Sequence, residues 1–287
     1  MKNKVFLLTL FIIGFGISNT NAQINLGEKA LGAIGKAVKG FTFSDEEAAL
    51  LSKETVYKMD KENPIAGPND PYTIRLNKLF AKHASENGLA LNFKVYTVKD
   101  INAFATADGS VRVFSGLMVI MDDNEILAVI GHEIGHVANH DTRDAIKAAY
   151  KKEALLDGVS SQSGKIATIT ESQLAKLGNA VIDSRHSRKQ ETDADLYAYD
   201  FMKRNGYNVN AVESAFTILA NMNQKAEAGI IERMLSSHPD PRERATLAKQ
   251  KAEADGLYKP YVKNEKVTTK KKITKRKITK KKITTKK

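Results

Sequence analysis

The chain has 287 residues, a formal net charge of +12 and no cysteine. The lack of cysteine excludes disulfides, thiol nucleophiles, thiolate metal ligands and a lipid on an N-terminal cysteine. The charge is confined to one end: Lys263 to Lys287 contains thirteen Lys or Arg and one acid, Glu265, so the remainder is neutral and the high pI does not mark it as a nucleic-acid binder.

The N-terminus reads as an export signal. Lys2 and Lys4 precede the apolar run Val5 to Ile17, which is short for a bilayer span, and Ser18 to Ala22 offers small residues for cleavage after Ala22. A signal peptide over 1–22 implies a periplasmic or secreted protein, with peripheral membrane attachment as an option and no integral span after cleavage. Residues 23–262 are then long enough for one domain held by its own core, centred on about 72–255.

Within 23–43, Leu26, Leu31, Ile34 and Val38 have loose helical spacing. Ser44-Asp45-Glu46-Glu47 is a capping box that opens a helix to about Met59. Asn63-Pro64 and Gly67-Pro68-Asn69-Asp70-Pro71 break the chain. A second helix is expected from Tyr72 to Ser85, ended by Gly88. Leu91 to Val98, Ala103 to Thr106 and Val111 to Phe114 have strand composition, and Ala107-Asp108-Gly109-Ser110 fits a hairpin turn. The apolar stretch Gly116 to Met121 leads to Asp122-Asp123-Asn124, a cap for the next helix.

That helix carries His132-Glu133-Ile134-Gly135-His136. Positions four apart share a helix face, so His132 and His136 direct two imidazoles at one point. Two neutral imidazoles at that spacing suit zinc, with Glu133 beside the ion as general base, the pattern of a zinc-dependent peptidase. The flanking Ile130, Ile134 and Val137 bury the motif. The helix is expected to continue through His140, a structural residue rather than a ligand; a metzincin-like site would need Gly at 139 and His at 142, where this chain has Asn139 and Thr142. In zincin-type peptidases an edge strand before this helix holds substrate by main-chain pairing, which assigns Asn102, Ala103, Phe104 and Ala105 to that strand.

Lys147 to Glu153 reads as a solvated basic helix face, Asp157 to Gly164 as a loop, and Glu171 to Asn205 as a long helix broken near Ser184 to Ser187. A catalytic zinc keeps three protein ligands and one open position. Glu191 and Asp195, four apart, can supply a third ligand and an acceptor for the free N–H of a ligand histidine. Glu153 is the weaker alternative.

Asn102-Ala103-Phe104-Ala105, Gly116, the His132–His136 motif, Glu191 with Asp195, and Ser237-His238-Pro239 with Arg244 come in this order. Together they resemble the HtpX-like and CAAX-prenyl-endopeptidase-like zinc metallopeptidases, specifically their soluble exported members, over about Leu91 to Leu247. The resemblance implies an α+β, mainly α zincin-like domain with a small antiparallel sheet before the metal helix. It implies an endopeptidase with Zn2+ on His132, His136 and Glu191, Glu133 as base, and Asp195 behind the ligands. In that family a histidine of the His-Pro segment approaches the zinc; His238 would either stabilise the oxyanion or fill the open position in a latent state. Arg244 would clamp Asp195, Glu191 or substrate.

From Lys270 the tail repeats a five-residue Lys-rich Ile-Thr unit that matches neither helix nor strand. Such a tail suits attachment of Lys263–Lys287 to an anionic surface, whether lipid, glycan or nucleic acid. The expected function is zinc-dependent hydrolysis of peptide bonds in misfolded or envelope proteins. The alternatives are a metal-binding chaperone-like or latent homologue, and a polyanion adaptor acting through the tail.

Overall fold

The computed structural model describes residues 44–156, 171–222 and 228–264. The signal peptide, the helical spacing in 23–43, the loop at 157–164, the side chain of Glu153 and the basic repeats lie outside what it describes.

Helix α1 (Asp45–Glu62) starts as expected, with Ser44 and Glu47 each accepting the other's N–H. Helix α2 (Pro71–Phe80) is capped by Asp70 and has Pro in its first turn. It ends at Phe80 rather than Ser85 because a hairpin follows. Strands β1 (Ser85–Glu86) and β2 (Leu89–Ala90) pair across Asn87-Gly88, whose φ angles of 51° and 77° are the left-handed pair that a two-residue turn requires.

Strands β3 (Asn92–Tyr96), β4 (Ala103–Ala105) and β5 (Ser110–Phe114) form the larger sheet. Asp108 closes the β4–β5 hairpin by accepting from the Thr106 and Ser110 hydroxyls. The order is β3-β5-β4, with β4 antiparallel and β3 parallel to β5. The sheet is therefore mixed, because β5 inserts between two strands that run in opposite directions. Arg112 of β5 is buried and forks onto Asp60 of α1 (2.8 and 2.9 Å), where Lys94 and Tyr96 also donate. This ties α1 to the sheet.

The remaining chain is helical: α3 (Ser115–Ile120), α4 (Asp123–Ala138), α5 (Asp141–Leu156), α6 (Glu171–Ile182), α7 (Arg188–Arg204), α8 (Asn210–Met222), a 3-10 turn (Ala228–Ile230), α9 (Glu232–Ser237) and α10 (Pro241–Ala254). The helix expected over 171–205 is interrupted as expected, into α6 and α7, with the break at 183–187. Helix α4 is buried on all sides from Glu125 to Val137 and is the centre of the main core. It stops at Ala138 instead of continuing through His140. His140 is exposed, takes φ 66° and starts the turn into α5, so it does not sit above His136.

The C-terminal residues return to the start of α4. The Tyr261 hydroxyl and the Asn264 N–H donate to Asp122, its capping residue, and Lys263 reaches buried Glu125 at 3.1 Å. Among the described residues no helix is long and apolar enough to cross a membrane.

Burial acts to raise the Asp60 pKa, but the hydrogen bonds from Arg112, Lys94 and Tyr96 outweigh it and hold the carboxyl below its usual range. A depressed folded pKa gives stability that is present above the unfolded value near 4 and is lost as pH falls through the folded one. Asp60→Asn is expected to cost about 1–3 kcal/mol at pH 7, measured by urea unfolding, with the difference from wild type shrinking below about pH 4.

Candidate metal centre

The centre is built where α4 crosses α7. Its position follows from small residues. A Cβ at Gly131 would lie 3.0 Å from a Phe201 ring carbon, and one at Gly135 would lie 3.0 Å from both Cα and O of Ala194. Glycine at these two positions lets the helix backbones approach closely. Ala194 and Ala198 face them from α7. The same approach brings Glu191, one turn before Asp195, against the inner face of His132 and His136.

Four donor atoms then converge. His132 Nε2 lies 3.0 Å from His136 Nε2 and 3.2 Å from His238 Nδ1. Glu191 Oε1 lies 3.0 Å from His238 Nδ1 and 3.4 Å from His136 Nε2, and Glu191 Oε2 lies 3.6 Å from His132 Nε2. A tetrahedral zinc with ligand bonds near 2.0–2.1 Å needs donors separated by about 3.3–3.4 Å. The set His132, His136, Glu191 and His238 fits that requirement, and all four residues are buried. Glu133 is placed to one side. Its Oε1 is buried, has no hydrogen-bond partner among the described residues, and lies 3.7 Å from His238 Nε2.

A second ring of side chains holds the donors. Asp195 Oδ1 is 2.9 Å from His132 Nδ1, and Asp141 Oδ2 is 2.9 Å from His136 Nδ1. Each carboxylate accepts the outer N–H, so each ring turns Nε2 inward. Gln190, in the capping box of α7, donates to the other oxygen of Asp141 at 2.9 Å. Arg244 of α10 donates twice to Asp195 (2.9 and 2.7 Å) and places Nη1 2.6 Å from Glu191 Oε2. Its guanidinium lies 4.0 Å above the Phe216 ring. Arg244 thus contacts both α7 carboxylates.

The electrostatics follow from burial and these pairs. Burial pushes the Glu133 carboxyl up. It acts the same way on Glu191, but the hydrogen bonds to His136 and His238 prevail and hold Glu191 well below the carboxylate range. Burial, then the Arg244 charge, pushes His132 down. Burial disfavours charge on His136 too, but Asp141 and Glu191 outweigh it and push that group up.

Strand β4 runs beside α4 as the last strand of its sheet. Phe114 N–H donates to Asn102 C=O and Thr106 N–H to Ser110 C=O. The alternation turns the main chain of Ala103 and Ala105 away from β5. Asn102, Ala103, Phe104 and Ala105 are all buried, and Ile101 N–H donates to Ile230 C=O at 2.8 Å. The segment between Ile230 and His238 therefore joins the start of this strand to the four-donor centre.

The profile of peptidase family M48 matches residues 73–252, which span α2 to α10 and every residue of the centre. The chain belongs to peptidase family M48. It is a metalloendopeptidase, and the family implies a divalent metal. Metalloprotease LoiP of Escherichia coli is 37% identical over 223 residues, covering 77% of this chain and 87% of that protein. Metalloprotease YcaL of the same organism is 37% identical over 250 residues, covering 85% and 96%. A Protease HtpX from Xanthomonas euvesicatoria is 30% identical over 231 residues, covering 77% and 71%.

Of the residues singled out in the sequence of this M48 peptidase, His132, Glu133, His136, Glu191, Asp195, His238 and Arg244 come together at one point. Asn102 to Ala105 form the neighbouring strand with its approach. Asp141 and His186 were missed. Asp141 follows the helix end, beyond the reach of i,i+4 spacing; its signal was an acid five residues after the second histidine. His186 sat in the predicted break before Glu191 and was passed over as loop. Replacing Asp141 with Ala frees the outer edge of His136, and metal affinity measured by chelator competition is expected to fall about 10–100-fold with the fold intact by circular dichroism.

Proposed function

We propose that this metalloendopeptidase uses zinc held by His132, His136 and Glu191, with Glu133 as general base and His238 as a fourth donor that closes the centre. The observation that carries this reading is the convergence of four buried donors at 3.0–3.6 Å beside a buried carboxylate oxygen that has no hydrogen-bond partner among the described residues. Bound there, the ion supplies Lewis-acid polarisation of the scissile carbonyl. Glu133, whose proton affinity burial raises, takes a proton from the attacking water and passes it to the leaving amine. Asp195 and Asp141 keep the two imidazoles aimed inward, and Arg244 keeps Asp195 ionised.

A catalytic zinc needs an open position for water. With His238 as the fourth donor, a four-coordinate ion would leave no place for water, and His238 would withdraw before substrate enters. An extended peptide then pairs with the main chain of Ala103 and Ala105. Only an unfolded stretch can lie along an edge strand in this way, which favours misfolded proteins as substrates. The leader at 1–22 supports export to the periplasm or beyond, and the Lys263–Lys287 tail supports attachment to an anionic surface.

Cleavage of casein by zinc-loaded protein tests the assignment. Glu133→Gln is expected to retain zinc and lose about 10²–10⁴-fold in rate. Loss of zinc from that variant would make Glu133 a ligand and overturn the assignment. His238→Ala is expected to keep zinc and cleave faster than wild type. A fall to background with zinc still bound would instead give His238 the oxyanion role.

A further inference from the structure

His186 touches the centre without a part in the chemistry above. It lies in the loop between α6 and α7, one residue before the helix cap Ser187, and is only 8% exposed. Its ring stacks on that of His136 with centroids 3.8 Å apart and planes within 17°. Its backbone N–H donates to Ser237 C=O at 3.1 Å, the carbonyl directly before His238. Among the described residues its ring nitrogens have no hydrogen-bond partner.

The constraints on His136 divide between two neighbours. Asp141 accepts from Nδ1 and so fixes the direction in which Nε2 points within the ring plane. A single hydrogen bond at the ring edge leaves the ring free to tilt about it. A flat ring at stacking distance removes that freedom. His136, Asp141 and His186 also place three donor atoms within 4.8 Å of one another. A second ion there would need Nδ1 of His136, but that atom carries the proton Asp141 accepts once Nε2 is turned to the centre.

We propose that His186 is a positioning residue for the metal: its ring holds the plane of His136, and its N–H ties the same loop to the His238 segment. The proposal rests on the metal reading of the centre.

The test uses the full chain with His186→Ala, His186→Phe and His186→Leu. Zinc affinity is read by chelator competition, ligand geometry by the visible spectrum of the cobalt(II) form, and folding by thermal unfolding of the metal-free proteins. His186→Ala is expected to lose about tenfold in affinity and to shift the cobalt bands. His186→Phe, which keeps a flat ring, is expected to restore both. His186→Leu fills the volume without a plane and is expected to behave like Ala, so the comparison holds if the Ala protein is unstable. Leu matching wild type, or Phe failing like Ala, overturns the proposal. So does loss of a second equivalent of cobalt in His186→Ala, which would reveal a second ion. A wild-type protein that binds neither metal overturns the metal reading itself and this inference with it.

Discussion

The close approach of α4 to α7 is the constraint on which the rest depends. The two histidines sit on one helix and the third donor on the other, so their separation is set by backbone-to-backbone distance. Gly131 and Gly135 face Ala198 and Ala194, and an added methyl at either glycine would meet atoms 3.0 Å away. Overpacking of this kind costs about 1–3 kcal/mol and moves backbones by a few tenths of an ångström. A fold absorbs that. A metal centre, whose bond lengths tolerate about 0.2 Å, does not. Gly131 and Gly135, before and within the histidine motif, therefore serve the candidate metal centre through the opposing helix.

Charge is the second constraint. Glu133, Glu191, Asp195 and Asp141 surround the centre, and Arg244 is the fixed cation among them. Uncompensated charge in an interior is expensive. Asp141 and Glu191 favour positive charge on His136, while burial and the Arg244 charge oppose it on His132. Under the proposed function a divalent ion would supply positive charge between the carboxylates and leave both imidazoles neutral, as ligation requires. Two carboxylates one helical turn apart both remain ionised for different reasons: Arg244 holds Asp195, and His136 and His238 hold Glu191.

Much of this was legible because it is local. Helical spacing placed His132 with His136 and Glu191 with Asp195, and the capping box at Ser44 and the cap at Asp122-Asp123-Asn124 located two helix starts. What stayed hidden depends on turns and on distant contacts. His140 occupies the next four-residue step, yet its left-handed φ ends the helix and sends Asp141, not His140, to His136. Asn87-Gly88 carries the hairpin that shortens α2, where Gly88 alone reads as a helix end. The mixed sheet required knowing that β5 inserts between β3 and β4, which no local pattern encodes. Arg244's double clamp spans α7 and α10, and sequence spacing has no access to it.

The His238 segment joins these themes. One end is held at the edge strand by Ile101, the middle by the His186 N–H on Ser237, and His238 itself by Glu191. Against these bonds stands Asp240, left-handed at φ 55° and ψ 48° between Pro239 and Pro241. A non-glycine residue in that region, immediately before proline, costs on the order of 1–3 kcal/mol. Individual hydrogen bonds return a net of about 0.5–1.5 kcal/mol each. The bonds that hold the segment and the strain beside it are thus of the same size. An extended chain pairing along β4 competes for the same strand edge that Ile230 approaches. Under the proposed function, substrate binding and withdrawal of His238 are then two sides of one equilibrium.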